Sequence, residues 1–237
     1  MSASSTTPVP GKIVARTASV HIDNTCNAFL HDCFRQFGIH IVALPGDPVT
    51  QLQTRKFEAC LLRLYDPDAE KILGAARASS SNSRLVVYGI ARSAREALRH
   101  SAYGINAVLD EPLDRPSVMK VVRSTHLLVM NELRRYVRVP LTSRAQIETP
   151  RGNAPVSTIE ISSGGLSVRS STALAAAGAV RVALTLPRLT PLVLRAFICW
   201  EREGSEKVYG LKFDPTDPGR TKVRGWIDQF LEIGNFS

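Results

Sequence analysis

The stretch Arg134-Arg135-Tyr136-Val137-Arg138 sets two arginines four residues apart, just before a predicted run of strands. Further along the chain, Glu160-Ile161-Ser162-Ser163-Gly164-Gly165 forms an acid-x-Ser-x-x-Gly turn. Arginine binds phosphate through a planar fork of donors and also stacks on flat rings. Together the two motifs predict a site for a ligand that carries phosphates and a flat base.

The residues around these motifs have the alternating pattern of short antiparallel strands. The predicted strands are 139–147, 156–161, 166–168, 180–186, 192–200 and 208–213. A helix over 116–133 leads into the arginines, and a second helix over 221–233 carries one apolar face. This order predicts an all-β barrel that is followed by a C-terminal helix.

Over residues 131–237 the sequence resembles a PilZ domain. That family has Arg-x-x-x-Arg followed by Asp/Asn-x-Ser-x-x-Gly, and this chain has Arg134-x-x-x-Arg138 and Glu160-x-Ser162-x-x-Gly165. The resemblance implies a receptor for cyclic di-GMP, a bacterial second messenger. Arg134 and Arg138 would then bind phosphate and guanine, while Arg135 would assist or face the solvent.

The second motif supplies the other predicted ligand contacts. Ser162 offers a hydroxyl, and Gly164 and Gly165 allow a close backbone approach and positive φ angles. Glu160 departs from the family's Asp or Asn. Its carboxylate either accepts from the N1–H and N2–H groups of guanine or, because the side chain is one methylene longer, repels the phosphates.

Residues 11–130 alternate between apolar strands and amphipathic helices. The predicted strands are 12–15, 39–44, 57–65, 84–88 and 102–109. This alternation predicts an α/β domain with a five-stranded parallel sheet of the flavodoxin-like type. The order resembles the receiver domain of response regulators, and a generic α/β domain of the same layering is the alternative.

The chain departs from the receiver family where that family carries its chemistry. Arg63 falls where the phosphorylatable aspartate is expected, and Glu111 replaces the lysine before a proline. The acidic pair that holds magnesium has no counterpart at Arg16-Thr17. Phosphoryl transfer to aspartate requires a carboxylate and a metal. We therefore expect a degenerate pseudo-receiver with no phosphorylation site, which acts as an interaction or dimerisation module.

Composition excludes several classes of function. The chain has 30 Lys and Arg against 21 Asp and Glu, a net charge of +9 that is spread over both halves. The positive charge favours anionic partners, but the sequence has no basic tail or lysine block of the kind that binds nucleic acid. The cysteines are dispersed and no HExxH, P-loop or GxSxG motif is present. We expect a cytoplasmic, non-enzymatic protein with no metal, cofactor or membrane span.

The resulting division is a disordered tail over 1–10, a pseudo-receiver domain over 11–130 and a PilZ domain over 131–237. The leading hypothesis is a bacterial cyclic di-GMP effector in which the ligand, held between the arginine linker and the barrel, changes domain orientation. The alternative is a PilZ-like adaptor that binds no nucleotide. An unidentified protein partner is expected at the pseudo-receiver domain, and a homodimer stays open.

Overall fold

The computed structural model describes residues 13–149, 152–174, 178–204, 206–229 and 231 of the chain. This part of the chain divides into two compact units, Val14–Leu133 and Arg134–Leu231, and Ile13 belongs to the second. The tail predicted over 1–10 lies outside the described residues.

The first unit alternates strands with helices around a five-stranded parallel sheet of order β2-β1-β3-β4-β5. Its elements are β1 (Ala15–Val20), α1 (Asn24–Arg35), β2 (Ile39–Ala43), α2 (Pro48–Thr54), β3 (Ala59–Arg63), α3 (Ala69–Ala78), β4 (Val86–Ala91), α4 (Ala94–Arg99), β5 (Ala107–Asp110) and α5 (Arg115–Tyr136). The predicted receiver-like architecture is confirmed. Both faces of such a sheet must be covered, which is why all six residues of β4 are buried.

Tyr88 shows how β4 joins the helices on one face of the sheet. Its ring meets that of Phe34 in α1 edge-on at 5.1 Å, and its hydroxyl lies 2.7 Å from Thr125 Oγ1 in α5. The neighbouring Val87 points to the other face and belongs to the apolar cluster that includes Leu73 of α3. Alternate residues of one strand therefore pack on two helical layers.

The first strand differs from its prediction. It spans Ala15–Val20 rather than 12–15, because Thr17 and Ser19 are buried in the sheet despite their polar side chains. Hydrogen bonding to parallel neighbours on both sides fixes this segment. The residues that follow the strand are consequently His21, Ile22 and Asp23, and not Arg16-Thr17.

A cluster of buried charged residues lies at the N-terminal end of β3, whereas Arg63 lies at its C-terminal end. Glu58 is 2% exposed, and its Oε2 accepts from the backbone N–H of Arg16 at 2.7 Å. Burial raises the pKa of the Glu58 carboxyl, an effect that the Arg16 hydrogen bond and Lys56 partly offset. Lys56 Nζ donates at 2.7 Å to the buried Glu132 of α5. This ion pair fixes α5 against the sheet.

Helix α5 is longer than predicted. It was expected to end at residue 133, but it continues through Arg134 and Arg135 to Tyr136. Cations in the last turn are favoured by the partial negative charge at the C-terminus of a helix. The first arginine of the ligand motif is therefore helical, and Arg138 lies beyond the end of the helix.

The second unit is the predicted antiparallel barrel. Its elements are β6 (Val139–Pro140), β7 (Arg144–Thr149), β8 (Gly152–Ser162), β9 (Gly165–Ser170), β10 (Ala179–Leu184), β11 (Leu192–Arg202), β12 (Lys207–Phe213) and α6 (Gly219–Asp228). The strand order is β6-β8-β7-β10-β11-β12-β9, and pairing of β8 with β9 closes six strands into a barrel. The short β6 adds to the side of β8.

Helix α6 begins at Gly219 and ends at Asp228, whereas the sequence predicts 221–233. Its predicted apolar face packs on the barrel through Val223, Trp226 and Ile227. Trp226 Nε1 donates to the carbonyl of Pro187 at 3.1 Å. Beyond the helix, Leu231 forms a parallel bridge with Ile13. None of the described helices combines the length and apolar character that a membrane crossing requires.

Candidate ligand-binding site

The acid-x-Ser-x-x-Gly motif forms the hairpin turn between β8 and β9, where Ser162 pairs with Gly165. Ser162 Oγ donates to the carbonyl of Gly165 at 3.1 Å and accepts from the N–H of Gly164 at 3.4 Å. Phe213 of β12 donates its N–H to the carbonyl of Gly164 at 2.9 Å. The turn is thus held from within by the serine and from outside by the neighbouring strand.

The space around the two glycines of this turn differs, so a side chain would be tolerated at only one of them. A Cβ on Gly165 would overlap the carbonyl oxygen of Leu211, so this position requires the smallest residue. A Cβ on Gly164 would meet open space. The expected positive φ angles are wrong, since neither glycine is in the left-handed region. The close approach of the Leu211 backbone therefore explains why the motif has a glycine at position 165.

Arg138 and Glu160 form an ion pair next to this turn. Arg138 Nη1 donates to Glu160 Oε1 at 2.8 Å, and the two side chains are 64% and 35% exposed. Strand β6 brings them together, because its residues 139–140 pair with 160–161 of β8. The residue that departs from the family pattern is therefore bound to the second arginine of the pattern.

Arg134 and Arg135 lie apart from this pair. Arg134 Nε donates at 2.6 Å to Asp228 Oδ1 of α6, and its side chain is only 13% exposed. Its carbonyl accepts from Ser163 Oγ at 3.4 Å, so the end of α5 touches the hairpin turn. The exposed Arg135 lies with its guanidinium 5.8 Å from the centre of the Tyr136 ring.

A cleft of about 230 Å³ opens over the turn. Five of the predicted ligand-binding residues line this cleft, namely Arg138, Glu160, Ser162, Gly164 and Gly165. Of the described residues that the sequence predicts for the site, Arg134 and Arg135 do not line it. The cleft also includes residues that the sequence reasoning missed, namely Ser167, Cys199, Trp200, Gly210 and Lys212. They come from β9, β11 and β12, and only the strand register places them beside the motif.

Comparison with protein families matches residues 132–229 to the model of the PilZ domain. This segment is a PilZ domain. PilZ domains are a family of cyclic di-GMP receptors and are typically non-catalytic. The cleft of this PilZ domain combines the cations Arg138 and Lys212 with the carboxylate of Glu160 and the hydroxyls of Ser162 and Ser167. Such a set offers donors to phosphate and both donors and acceptors to the edge of a base.

Solved structures resemble part of the chain. The receiver domain of a sensor histidine kinase from Pseudomonas aeruginosa aligns at 15% identity and a TM-score of 0.41, covering 48% of this chain and 98% of that one. The chemotaxis response regulator CheY4 of Vibrio cholerae aligns at 13% identity and a TM-score of 0.42, covering 47% and 98%.

The inhibitor of motility MotI/DgrA from Bacillus subtilis aligns at 19% identity and a TM-score of 0.35, covering 40% of this chain and 50% of that chain. A search of the curated proteins finds no match.

Outside the PilZ domain, Arg63 stands at the C-terminal end of β3, where a receiver carries its phosphorylatable aspartate. Its Nη2 donates to Asp23 Oδ2 at 2.7 Å, its Nε to Glu111 Oε1 at 3.4 Å and its Nη1 to the carbonyl of His21 at 3.2 Å. The hydrogen bond from Arg63 holds the pKa of Asp23 below its ordinary value. In turn, Asp23 raises the pKa of Arg63. The acidic residue Asp23 that follows β1 is therefore bound to an arginine.

Glu111 receives further donors at this sheet edge. Tyr65 Oη donates to Glu111 Oε2 at 2.9 Å, and Arg92 lies with its guanidinium 3.7 Å from the Tyr65 ring centre. Burial, and then the bond to Glu111, raise the pKa of Tyr65. The pair formed by Arg63 and Glu111 thus has the reverse polarity of the aspartate and lysine that the receiver family carries.

The prediction that the chain holds no metal stays a prediction. His21, Asp66 and Asp68 offer ligand atoms that lie within 4.8 Å of one another near the same edge of the sheet. His21 Nδ1 lies 2.9 Å from Asp66 Oδ2, and Asp66 Oδ1 accepts from the N–H of Asp68 at 2.8 Å. The second bond closes a turn at Asp66-Pro67-Asp68, as aspartate side chains often do.

Proposed function

We propose that the protein is a non-enzymatic cyclic di-GMP effector of bacterial second-messenger signalling, acting in the cytoplasm. The observation that carries the proposal is the convergence of Arg138, Glu160, Ser162 and Gly165 on one cleft of a PilZ domain. The ligand presents two phosphates and two guanines, which require cationic donors and a carboxylate acceptor, respectively.

To bind the ligand, Arg138 must exchange its partner Glu160 for a group of the ligand. The guanidinium leaves Glu160 and binds a phosphate or the O6 and N7 atoms of guanine, and the freed carboxylate accepts from N1–H and N2–H. Because the pair is exposed to water, separating it costs only about 0.2–1 kcal/mol. A phosphate that accepts a bidentate arginine bond offsets that cost.

Arg134 joins the ligand in a second step. It leaves Asp228 and contributes to the same clamp, with Arg135 assisting at the surface. Arg134 lies in the last turn of α5. Its displacement therefore moves the end of the helix that continues into the receiver-like domain. The resulting change in domain orientation alters the contact with a protein partner at the receiver-like domain.

Isothermal titration calorimetry of the whole chain with cyclic di-GMP tests the proposal. The parent is expected to bind in the micromolar range or tighter. Arg138→Ala should weaken binding about tenfold or more, since a charged hydrogen bond is lost. Arg144→Ala is the matched control, because Arg144 is an exposed barrel arginine outside the cleft. Absence of heat with the parent overturns the proposal.

A second candidate is an adaptor that binds no nucleotide and works through protein contacts alone. The observation in its favour is that both arginines of the motif already have carboxylate partners, Glu160 and Asp228. If the parent gives no heat and Glu160→Asp binds tightly, the site is a receptor site that has lost its ligand, and the adaptor function is supported.

A further inference from the structure

A second groove lies on the barrel, apart from the cleft of the ligand motif. Its volume is about 550 Å³, and strands β7, β8, β9, β10 and β11 contribute to its lining. Among the described residues, none lines both the groove and the cleft. Sites for small molecules usually have volumes of about 300–1,000 Å³ and combine an apolar lining with a few polar groups. The groove therefore has the size of a separate binding site.

A row of two arginines and a serine crosses one side of this groove. Arg144 of β7 pairs with Ser157 of β8, and Ser157 pairs with Arg169 of β9. Residues that pair directly in antiparallel strands point to the same face of the sheet, and all three residues are exposed and line the groove. The arginines are two strand spacings apart, about 10 Å, with only the small serine between them. The row therefore offers guanidinium and hydroxyl donors to an anion that lies over Ser157.

The charges of the groove match a ligand with a single negative charge. The charged residues among its described lining are Arg144, Arg169 and Glu206, so two cations and one anion leave a net charge of +1. Arg169 Nε lies 3.1 Å from Glu206 Oε2 in an exposed ion pair. Arg144 has no carboxylate partner in the part of the chain that the structure describes. Its guanidinium is therefore the cation that an incoming anion meets first.

The neighbouring row on the same face is mostly apolar. Gln146 of β7 pairs with Pro155 of β8 and with Ala183 of β10, and Ala183 pairs with Val193 of β11. Gln146 lies two residues after Arg144 on β7, so the two rows share one face. All four residues of the second row line the groove, and Val193 is 44% exposed. A ligand that covers Val193 and Ala183 removes their apolar surface from water, which favours binding.

We propose that this groove binds a monocarboxylate with an unbranched aliphatic chain, that is, a medium-chain fatty acid. The carboxylate lies over Ser157 and accepts from Arg144, and the chain lies along Ala183 and Val193. An inorganic anion would leave the apolar row uncovered, and a neutral hydrocarbon would leave Arg144 without a partner. The site goes beyond the proposed function and does not depend on the binding of cyclic di-GMP.

Calorimetry of the full-length protein with hexanoate, octanoate and decanoate, each below its micelle concentration, tests the inference. The affinity should rise along this series by up to about fourfold for each methylene group that the groove buries. Decanol has the chain of decanoate without its charge, and it should bind about tenfold or more weakly than decanoate. Absence of heat with decanoate overturns the inference. Equal binding of decanol and decanoate also overturns it, and would indicate an apolar surface for contact with another protein.

Two variants at exposed positions test the role of the arginine row. Arg144→Ala should weaken decanoate binding about tenfold or more, because a charged hydrogen bond is lost, and should leave decanol binding unchanged. Ser157→Glu places a carboxylate between the two arginines and should abolish decanoate binding. Arg202→Ala is the matched control, since Arg202 is an exposed arginine of β11 that lines neither the groove nor the cleft. Parent-like affinity for decanoate in Arg144→Ala or in Ser157→Glu overturns the inference.

Discussion

Arg138 and Glu160 join the two ligand motifs through a 2.8 Å hydrogen bond between Nη1 and Oε1. The longer side chain of glutamate reaches an arginine that the aspartate or asparagine of the family pattern would reach less easily. The glutamate at position 160 therefore has two effects. It gives Arg138 a carboxylate partner, and it changes the position of the acceptor that is offered to guanine.

Shortening this carboxylate should improve ligand binding. In Glu160→Asp, Arg138 is released from its partner, and the affinity for cyclic di-GMP should rise by up to about fivefold, the limit set by an exposed ion pair. Calorimetry measures the change, with Glu148→Asp on β7 as a control outside the cleft. Weaker binding by Glu160→Asp would mean that the ligand needs the carboxylate at its present reach.

The pair formed by Arg134 and Asp228 should stabilise the second unit by joining the last turn of α5 to α6. Both side chains are largely shielded from water and are 2.6 Å apart, so their interaction is screened less than that of a surface pair. A double-mutant cycle with Arg134→Ala and Asp228→Asn should give a coupling free energy of about 1 kcal/mol. Urea unfolding measures it, and strictly additive effects would show that the pair contributes nothing.

Alanine should have very unequal effects on stability at the two adjacent glycines of the turn. Gly165→Ala forces its methyl group against the carbonyl of Leu211 and should destabilise the barrel by about 1–3 kcal/mol. Gly164→Ala adds a methyl group in open space and should change the free energy of unfolding by less than about 0.5 kcal/mol. Chemical denaturation compares the two, and equal losses would contradict the steric explanation.

Glu58 should make the receiver-like domain less stable as the pH rises. Its folded pKa is raised by burial above the ordinary value of 4.5, so the folded state binds the proton more tightly than the unfolded state. Its contribution to stability is therefore greatest below pH 4.5 and falls as the pH rises through the folded pKa. Each pKa unit of such a shift corresponds to about 1.4 kcal/mol.

The neutral variant Glu58→Gln tests this sign. It should melt at a higher temperature than the parent at pH 8, and the difference should shrink toward pH 4, since glutamine can still accept from the Arg16 N–H. The groups that face Glu58 are Arg16, Lys56 and Glu132. Glu70→Gln on the surface of α3 is the control. A difference that is independent of pH would assign the effect to packing.

The receiver-like domain should not accept a phosphoryl group. The guanidinium of Arg63 holds Asp23 and Glu111 at the sheet edge where a receiver is phosphorylated. Incubation with acetyl phosphate and Mg²⁺ should leave the mass of the intact protein unchanged. A phosphorylated species would contradict the prediction, and peptide mapping would then decide between Asp23 and Asp66.

Local pattern predicted the element types but not the pairings between distant strands. The motif residues of one hairpin were found because they are close in sequence. Trp200 was missed because it faces Glu160 only through two intervening strands and a register shift. Strand β1 was misplaced because burial of Thr17 and Ser19 depends on neighbours that a single segment does not reveal.

The bridge between Ile13 and Leu231 places the two ends of the described chain one strand spacing apart, about 4.8 Å. Two residues that meet in this way can be joined by a short peptide in a circularly permuted variant, because the peptide does not have to cross the protein. New termini could be opened at the exposed turn beside Glu203 and Gly204. A fluorescent protein inserted at that turn would leave both original ends in place, and it would sit at the end of β11, the strand that carries Trp200.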